Sequence, residues 1–207
     1  MEIIKNFVVF EGGDGSGTTT QLNLLAERLK NSPKTDFFST FEPTDGVIGK
    51  LIRSALKREV VFDPKTLCYL FAADRHQHLY GIDGIVERTG KGQLVVSDRY
   101  AISSLVYQSI ECGSELPAAL NKDFPAPEIT LFFDLKPEIA KQRMQDRTSL
   151  EIYEYLEFQE KVYAGYLSAI EKYTALGAKV EVIDASKPVE IVAGKVWSIV
   201  SEMPIFK

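Results

Sequence analysis

A short glycine-rich segment near the start of the chain has the residue types and the spacing needed to bind a phosphate group. Gly12 and Gly17 have the separation of the two glycines in the phosphate-loop pattern G-x-x-x-x-G-K-[ST]. Glycines allow several backbone N–H groups to converge on one anion, and the helix that follows adds the positive end of its dipole. The candidate phosphate-binding residues are Gly12, Gly13, Asp14, Gly15, Ser16, Gly17, Thr18, Thr19 and Thr20.

The segment departs from that pattern at one position. Thr18 stands where the pattern has lysine, so the ammonium that normally reaches the β- and γ-phosphates is missing. Thr19 keeps the hydroxyl that binds Mg²⁺ in such loops. Because the backbone amides do not depend on the lysine, the segment still predicts a phosphate site. The alternative is a glycine-rich turn between a strand and a helix that binds nothing.

Asp98 and Arg99 follow a short apolar segment that we predict to be a strand. Ligands of open α/β sheets bind at the carboxyl ends of the strands. Asp98 is therefore a candidate for binding Mg²⁺ or its waters, and Arg99 is a candidate bidentate clamp for a phosphate. The competing interpretation is a surface ion pair at the end of a strand.

Two further pairs lie one helical turn apart and so share a helix face. Phe71 and Arg75 could stack on a nucleobase and hydrogen-bond its edge, although a core phenylalanine beside a solvated arginine has the same spacing. Arg143 and Arg147 could close over a polyphosphate and exclude water, or they could form a solvated basic face.

The hydropathy pattern predicts the elements that must position these residues. Short segments rich in Val, Ile and Phe are typical of strands buried on both faces, and they lie at 7–10, 36–41, 94–96, 129–133 and 179–183. Longer amphipathic segments predict helices at 22–29, 48–56, 64–80 and 151–173 and after Pro137 and Pro188, with a loop at 113–127 that has room for one helical turn. This alternation predicts an α/β fold with a parallel sheet between two layers of helices.

The composition is that of an ordinary globular protein. Of 207 residues, 45% are hydrophobic and 26% are charged, and the net charge is −5. A nucleic-acid-binding surface is therefore not expected, and no segment approaches the roughly 18 apolar residues of a membrane-spanning helix. Since no segment resembles a linker, we predict a single domain over residues 1–207 with a short lid at about 143–155.

The two cysteines, Cys68 and Cys112, belong to no CxxC pair and have no histidine at ligand spacing. We expect both to be reduced thiols, as in a reducing cytosol. The first residues of the chain lack the pattern of a signal peptide. A cytoplasmic location is therefore the expectation.

Taken in order, these motifs resemble those of the thymidylate kinase family of nucleoside monophosphate kinases. Residues 10–21 resemble that family's F-E-G-x-D-G-x-G-K-T-T-Q, and Glu42-Pro43 stands where the family has R-E-P. Further similarities to the family follow in the same order: F-x-A-D-R at 71–75, D-R-[YH] at 98–100, S-x-x-A-Y-Q at 103–108, L-D-x-x-P-E-x-A-x-x-R at 133–143 and I-D-A-S at 183–186.

The resemblance implies a P-loop NTPase-type three-layer α/β/α sandwich with a five-stranded parallel sheet. It also implies transfer of the γ-phosphate of ATP to dTMP with Mg²⁺, on the route to dTTP, usually in a homodimer. With this resemblance, the candidate catalytic residues are Asp14 and Arg99 together with Arg143 and Arg147, and Thr19 and Asp98 are the candidate metal residues. The implied dTMP-binding residues are Asp14, Arg53, Phe71, Arg75, Arg99, Ser103, Ser104, Tyr107 and Gln108.

Within that set, the resemblance gives individual residues distinct roles. Phe71 would stack on thymine, and Arg75 would contact the base edge or the dTMP phosphate. Tyr107 would lie near the deoxyribose, while Ser104 and Gln108 would line the base pocket.

Three cations typical of the family are missing here. Thr18 replaces the loop lysine, Phe41 replaces the arginine of R-E-P, and Ile152 stands where a lid arginine is expected. We predict that Arg143 or Arg147 supplies the lost charge, because phosphoryl transfer depends on positioned positive charge. Other candidates are Lys50, Arg53 and Lys141.

The sequence leaves three functions open. The first is an active thymidylate kinase with a variant phosphate clamp. The second is a related kinase that acts on another monophosphate or deoxynucleoside. The third is a catalytically silent nucleotide-binding protein.

Overall fold

Parallel strands form one central sheet in the protein. The computed structural model describes residues 2–30, 36–144 and 156–207. The strands are β1 (Ile3–Glu11), β2 (Phe37–Phe41), β3 (Leu94–Asp98), β4 (Ala126–Asp134) and β5 (Val180–Asp184). Their order across the sheet is β2-β3-β1-β4-β5, and every neighbouring pair is parallel. The sequence prediction of a five-stranded parallel sheet is confirmed.

Helices connect the strands, as parallel pairing requires. They are α1 (Thr18–Lys30), α2 (Val47–Leu56), α3 (Pro64–Tyr80), α4 (Ile85–Gly90), α5 (Ala101–Cys112), α6 (Glu115–Asn121), α7 (Pro137–Met144), α8 (Leu156–Ala175) and α9 (Val189–Val200). A short 3₁₀ helix follows at Pro204–Phe206. None of the helices in the described ranges is both long and apolar enough to cross a lipid bilayer.

The sheet is covered on both faces because its strands carry apolar side chains on both sides. In β1, Val8 and Phe10 pack in a cluster with buried residues of α1 and α9, such as Leu25 and Val196. The alternating residues Phe7 and Val9 pack on the opposite face, in a cluster that includes residues of α3 and α4. The predicted three-layer α/β/α arrangement is therefore confirmed.

A third apolar cluster joins the helices on the side of the sheet that holds α2, α3, α5 and α8. Helices α5 and α8 approach closely within it, because residue 165 of α8 is a glycine. A Cβ at Gly165 would lie 2.9 Å from Cγ1 of Val106 in α5. Tyr166, the next residue, is fully buried against Phe132 of the sheet.

Local sequence explains the bounds of α3, which match the predicted helix at 64–80. Asp63 caps the helix by accepting a hydrogen bond of 2.9 Å from the backbone N–H of Lys65. Pro64 takes the first helical position, where its missing N–H is not needed. The helix ends before Gly81, whose N–H still donates to the carbonyl of Gln77.

The sequence analysis missed or misplaced several elements. It did not predict α4 or α5. The loop predicted at 113–127, with room for one helical turn, is partly correct: its helix α6 has seven residues and so exceeds one turn, and β4 begins within it, where Pro127 pairs with Ile4. Proline is tolerated there because it lies at the start of a strand. The described part of the predicted helix at 151–173 begins at Leu156, and residues 151–155 lie outside the described residues.

The contribution of this core to the stability of the fold can be tested by substituting Leu131. It is fully buried in β4, and we expect Leu131→Ala to lower the free energy of unfolding by about 3 kcal/mol, because it leaves a cavity in a packed cluster. Ile191 of α9 is 62% exposed, so Ile191→Ala should change the free energy of unfolding by less than about 0.5 kcal/mol. Urea unfolding of both variants measures the difference; equal losses would contradict the assignment of Leu131 to the core.

Candidate functional site

A cleft of about 700 Å³ opens at the carboxyl ends of the central strands, bordered by the glycine-rich turn and by α2, α3 and α5. This is the edge at which α/β sheets bind ligands. The cleft is lined by every residue that the resemblance implies for dTMP and for the metal: Asp14, Thr19, Arg53, Phe71, Arg75, Asp98, Arg99, Ser103, Ser104, Tyr107 and Gln108.

The glycine-rich turn connects β1 to α1 in the way its sequence predicts. Gly17 has a φ of +91°, a conformation that other residues adopt only with strain. A Cβ at Gly12 would lie 2.6 Å from Oγ of Ser16 and 3.1 Å from the carbonyl oxygen of Phe133, so any other residue there would require the Ser16 side chain and the Phe133 backbone to shift. Thr18, at the position of the missing lysine, is buried, whereas Thr19 and Thr20 are exposed.

Thr19 and Asp98 meet beside this turn. The hydroxyl of Thr19 donates a 2.5 Å hydrogen bond to Oδ2 of Asp98. Asp98 is only 8% exposed, and its Oδ1 is buried without a hydrogen-bond partner among the residues that the structure describes. A buried carboxylate oxygen beside a hydroxyl is a donor set of the kind that Mg²⁺ prefers. The two residues therefore fit the predicted metal role.

The rest of the coordination shell would have to come from elsewhere. The described residues contain no group of three or more His, Cys, Asp or Glu side chains that could hold a metal ion. Mg²⁺ commonly binds through one or two carboxylates together with substrate phosphates and waters. The geometry at Asp98 fits that mode of binding and does not form a dedicated protein cage.

Arg99 and Asp14 form an ion pair in the cleft. Nη2 of Arg99 donates to Oδ1 of Asp14, and each side chain is 24% exposed. The guanidinium carbon also lies 5.1 Å from the ring centroid of Tyr107. Two side chains that the sequence analysis treated as separate ligands of a nucleotide thus contact each other directly.

Asp14 accepts two further hydrogen bonds that fix its position. The hydroxyl of Tyr107 donates to Oδ1 over 3.3 Å, and Nε2 of Gln159 donates to Oδ2 over 2.8 Å. Burial raises the pKa of Tyr107, so its hydroxyl stays protonated and donates at neutral pH. Asp14 therefore accepts hydrogen bonds from an arginine, a tyrosine and a glutamine, which hold its carboxylate in one orientation in the cleft.

Gln159 is a site residue that the sequence analysis missed. It is buried on α8 together with Val162 and Tyr166. These three residues have the i, i+3, i+7 spacing of one helix face. A glutamine within such an apolar stripe was the available signal, because a buried polar side chain needs a partner.

Arg75 lies in the wall of the cleft but is already bound to the protein. It is 1% exposed, its Nε donates to Oε2 of Glu42 over 2.9 Å, and its Nη2 donates to the carbonyl of Tyr100 over 3.1 Å. Nη1 donates to Oδ1 of Asn121. The predicted contact of Arg75 with a base or a phosphate stays a prediction; the observed contacts hold the cleft wall together.

The neighbouring Asp74 holds the turn that follows β2. Its carboxylate accepts from the backbone N–H of Thr44 over 2.7 Å and from the Thr44 hydroxyl over 2.6 Å. Helix α2 packs on the same turn through Gly49, where a Cβ would overlap the backbone of Thr44. The F-x-A-D-R segment therefore fixes the Glu42–Thr44 turn through both of its charged residues.

Phe41 and Arg53 lie next to that turn. The guanidinium of Arg53 lies over the ring of Phe41, with 5.0 Å between the guanidinium carbon and the ring centroid, and its Nη2 donates to the carbonyl of Pro43. Such a cation–π contact holds the guanidinium at the cleft. Although Phe41 removes the arginine typical of this position, the edge of the cleft still carries a positive charge.

Glu11 is a second residue whose role the sequence did not reveal. It is fully buried at the end of β1, and burial raises its pKa, while hydrogen bonds from Ser103 and the charge of Arg99 oppose the rise. Ser103 and the neighbouring Ser104 are both bound to protein groups. Ser103 donates to Oε2 of Glu11 over 2.5 Å, and Ser104 donates to Oε1 of Gln108 over 2.7 Å.

Among the described basic residues predicted to replace the missing charges, Arg53 lines the cleft, whereas Arg143, Lys50 and Lys141 are not among its lining residues. Nη2 of Arg143 donates to the carbonyls of Ala185 over 2.9 Å and of Ser186 over 3.4 Å, beyond the end of β5. Arg147, Ile152 and most of the predicted lid lie outside the described residues. Their predicted roles stay predictions.

The fold and the cleft define a class of protein: an α/β nucleotide-binding protein with a glycine-rich turn of the P-loop type after its first strand. A family model described as thymidylate kinase matches residues 10–196. The chain is 44% identical over 195 residues to a putative thymidylate kinase of Treponema pallidum, and the alignment covers 93% of each chain.

Two archaeal relatives extend this result. A probable thymidylate kinase of Pyrobaculum aerophilum is 38% identical over 97% of this chain and 99% of its own. One from Methanococcus maripaludis is 37% identical over 97% of this chain and 98% of its own. The chain therefore belongs to the thymidylate kinase family. Kinases are phosphotransferases, and the resemblance found in the sequence is confirmed.

The contact of α2 with the Glu42–Thr44 turn gives a stability prediction. Gly49→Ala should lower the free energy of unfolding by about 2 kcal/mol, because the methyl group would overlap the backbone of Thr44. Gly194→Ala is the matched control, since a Cβ there meets nothing within 4 Å and alanine favours the helix by up to about 1 kcal/mol. Denaturant unfolding separates the two variants; similar shifts in both would rule out the close contact at Gly49.

Proposed function

We propose that the protein transfers the γ-phosphate of ATP to dTMP, giving ADP and dTDP on the route to dTTP. The observation that carries this proposal is the convergence of the implied acceptor residues on one cleft beside the glycine-rich turn. These residues come from the turn after β1, the end of β3 and helices α2, α3 and α5. The names of the curated relatives support dTMP as the acceptor.

The donor phosphates would bind at residues 12–20. Backbone amides at the start of α1 would supply the hydrogen bonds that survive without the lysine. Thr19 and Asp98 would hold Mg²⁺, and the ion would neutralise charge on the β- and γ-phosphates. With Thr18 in place of lysine, the metal and the arginines carry a larger share of that neutralisation.

The acceptor would enter the opposite side of the cleft. Phe71 of α3 would stack on the base, and Tyr107 would lie against the sugar, next to Asp14. Arg99 and Arg53 would bind the acceptor phosphate, since both reach the cleft and keep N–H donors beyond those used by their protein partners. This arrangement would place the acceptor phosphate between two guanidiniums and the glycine-rich turn.

Charge and positioning would account for catalysis in this arrangement. Phosphoryl transfer needs little covalent help from the protein, and preorganised cations stabilise the charge of the transition state. The ion pair with Asp14 fixes Arg99 before any substrate binds. Positioning in advance avoids an ordering cost during the reaction.

The loss of the loop lysine favours one alternative specifically, a protein that binds nucleotides without turning them over. A kinase for a different monophosphate is the other alternative, because stacking on Phe71 tolerates any base. Homodimer formation and a cytoplasmic location, which the resemblance implies, stay predictions.

An ADP-release assay distinguishes these functions. Purified protein is supplied with ATP, Mg²⁺ and one acceptor at a time from dTMP, dUMP, dGMP, dCMP and thymidine. The proposal expects the highest kcat/KM with dTMP. Preference for another acceptor would establish the second function, and calorimetric binding of dTMP without turnover would establish the third.

Phe71 tests the acceptor side of the cleft. Phe71→Ala should raise the KM for dTMP by about 5- to 100-fold, because base stacking on an aromatic ring contributes about 1–3 kcal/mol. The KM for ATP should change little. Tyr69→Ala on the same helix is the control, since Tyr69 is 55% exposed and does not line the cleft. An unchanged KM for dTMP in the Phe71 variant would contradict base stacking at this position.

The proposed Mg²⁺ site can be tested by substituting Asp98. Asp98→Asn keeps the shape of the side chain but removes its charge, so the Mg²⁺ concentration needed for half-maximal rate should rise by about 10- to 100-fold. Asp123→Asn is the control, because Asp123 lies on the surface with an 87% exposed side chain. A Mg²⁺ titration of initial rates measures both, and identical curves for the two variants would argue against Asp98 as a metal residue.

A further inference from the structure

Glu11 is a fully buried carboxylate to which the proposed reaction assigns no role. It is the last residue of β1 and immediately precedes the glycine-rich turn. Its Oε1 accepts from the backbone N–H groups of Tyr100 over 3.0 Å and of Ser103 over 3.2 Å. Its Oε2 accepts from the hydroxyls of Ser103 over 2.5 Å and of Tyr166 over 3.1 Å. Two backbone N–H groups and two hydroxyl groups therefore surround this buried carboxyl group.

The backbone next to these contacts is strained. Arg99 has a φ of +71°, in the left-handed region, which costs a residue with a Cβ about 1–2 kcal/mol. Such a conformation persists only where the surroundings hold it in place. Here the N–H of Arg99 donates to the carbonyl of Phe10 over 2.8 Å, and its carbonyl accepts from the hydroxyl of Ser97 over 2.8 Å. Glu11 binds the next N–H along the chain.

Glu11, at the end of β1, also caps the N-terminus of α5. Tyr100 is the N-cap residue, and its own side chain makes no capping bond, because its hydroxyl donates to the carbonyl of Pro125. The N–H groups that Glu11 binds, those of Tyr100 and Ser103, lie at the N-cap and the third helical position. A negative charge is also favourable at this end of a helix. The direction in which the chain enters α5, directly after Arg99, is thereby fixed.

The second carboxylate oxygen acts on the side chain of Arg99. The hydroxyl of Tyr166 donates to Oε2 of Glu11 over 3.1 Å, and its oxygen lies 2.8 Å from Oγ of Ser103, which binds the same carboxyl group. The oxygen of Tyr166 also accepts from Nη1 of Arg99 over 3.5 Å. Glu11 thus influences Arg99 along two paths, one through the backbone and one through Tyr166.

We propose that Glu11 is a positioning residue that holds Arg99 in its left-handed conformation, with the guanidinium facing the cleft beside the glycine-rich turn. This inference rests on the proposed function, in which Arg99 binds the acceptor phosphate. Glu11 contacts no substrate in this arrangement. It sets where the acceptor phosphate lies relative to residues 12–20.

Two conservative substitutions of Glu11 separate the effect of side-chain length from the effect of side-chain charge. Glu11→Gln keeps the length of the side chain: its carbonyl can accept from both N–H groups, and its NH₂ group can donate to the two hydroxyls. Glu11→Asp keeps the charge but is about 1.5 Å shorter and cannot reach α5. We expect the Kd for dTMP, measured by calorimetry, to rise by about tenfold or more in Glu11→Asp and by less than about threefold in Glu11→Gln. The Kd for ATP should change by less than about threefold in both.

A double-mutant cycle with Arg99→Ala distinguishes positioning from a general structural role. If Glu11 acts through Arg99, Glu11→Asp should weaken dTMP binding by less than about twofold once Arg99 is alanine. Additive effects of the two substitutions would overturn the proposal. So would equal dTMP affinities for the Glu11→Asp variant and the wild type.

Hydrogen exchange is measured on the wild-type protein, so it tests the proposal even if the Glu11→Asp variant does not fold. The amides of Tyr100 and Ser103 should be protected to the same degree as those in the middle of α5. Fast exchange at both would overturn the positioning role. A wild-type protein with both amides protected but no dTMP binding would reject the proposed function while retaining Glu11 as the residue that fixes Arg99.

Discussion

Backbone hydrogen bonding between β1, β3 and β2 determines where every polar group of the cleft lies. Phe10 pairs with Asp98, and Asp98 pairs with Phe41, so the three strands end at the same level of the sheet. The residues that follow these positions begin the glycine-rich turn, the Arg99 segment and the Glu42–Thr44 turn. Because a shift of one residue would turn each side chain to the other face, this register is a strict requirement for the site.

Four of the charged side chains of the cleft are arranged as two ion pairs. Arg99 faces Asp14, and the deeply buried Arg75 faces Glu42. A buried charge without a partner is expensive, so these pairs lower the free-energy cost of placing charged side chains where they are largely shielded from solvent. Replacement of lysine by Thr18 removes one positive charge near an already acidic group of residues. In the proposed function, the donor phosphates would depend more on backbone amides and on bound cations than in a loop that has its lysine.

The sequence was informative where local rules apply. Strand positions, the glycine-rich turn and the bounds of α3 follow from hydropathy, glycine spacing and capping, which depend on neighbouring residues. The partners of Arg75 could not be derived in this way, because Asn121 and the carbonyl of Tyr100 approach it only in the folded chain. The same holds for Glu11 and Gln159, whose partners come from distant segments. Helix α5 was missed because its buried face is rich in small and polar residues, such as Ser103 and Ser104, which weaken the apolar periodicity.

The close contact between α5 and α8 at Gly165 restricts how the sequence can change over evolution. A side chain at position 165 would press on the Val106 side chain, so either that side chain or α8 would have to shift, and a shift of α8 would carry Tyr166 away from β1. A related protein with alanine at 165 would therefore need a smaller residue at 106 to keep the same spacing. The two positions should vary together in homologous sequences, although neither of them touches the cleft.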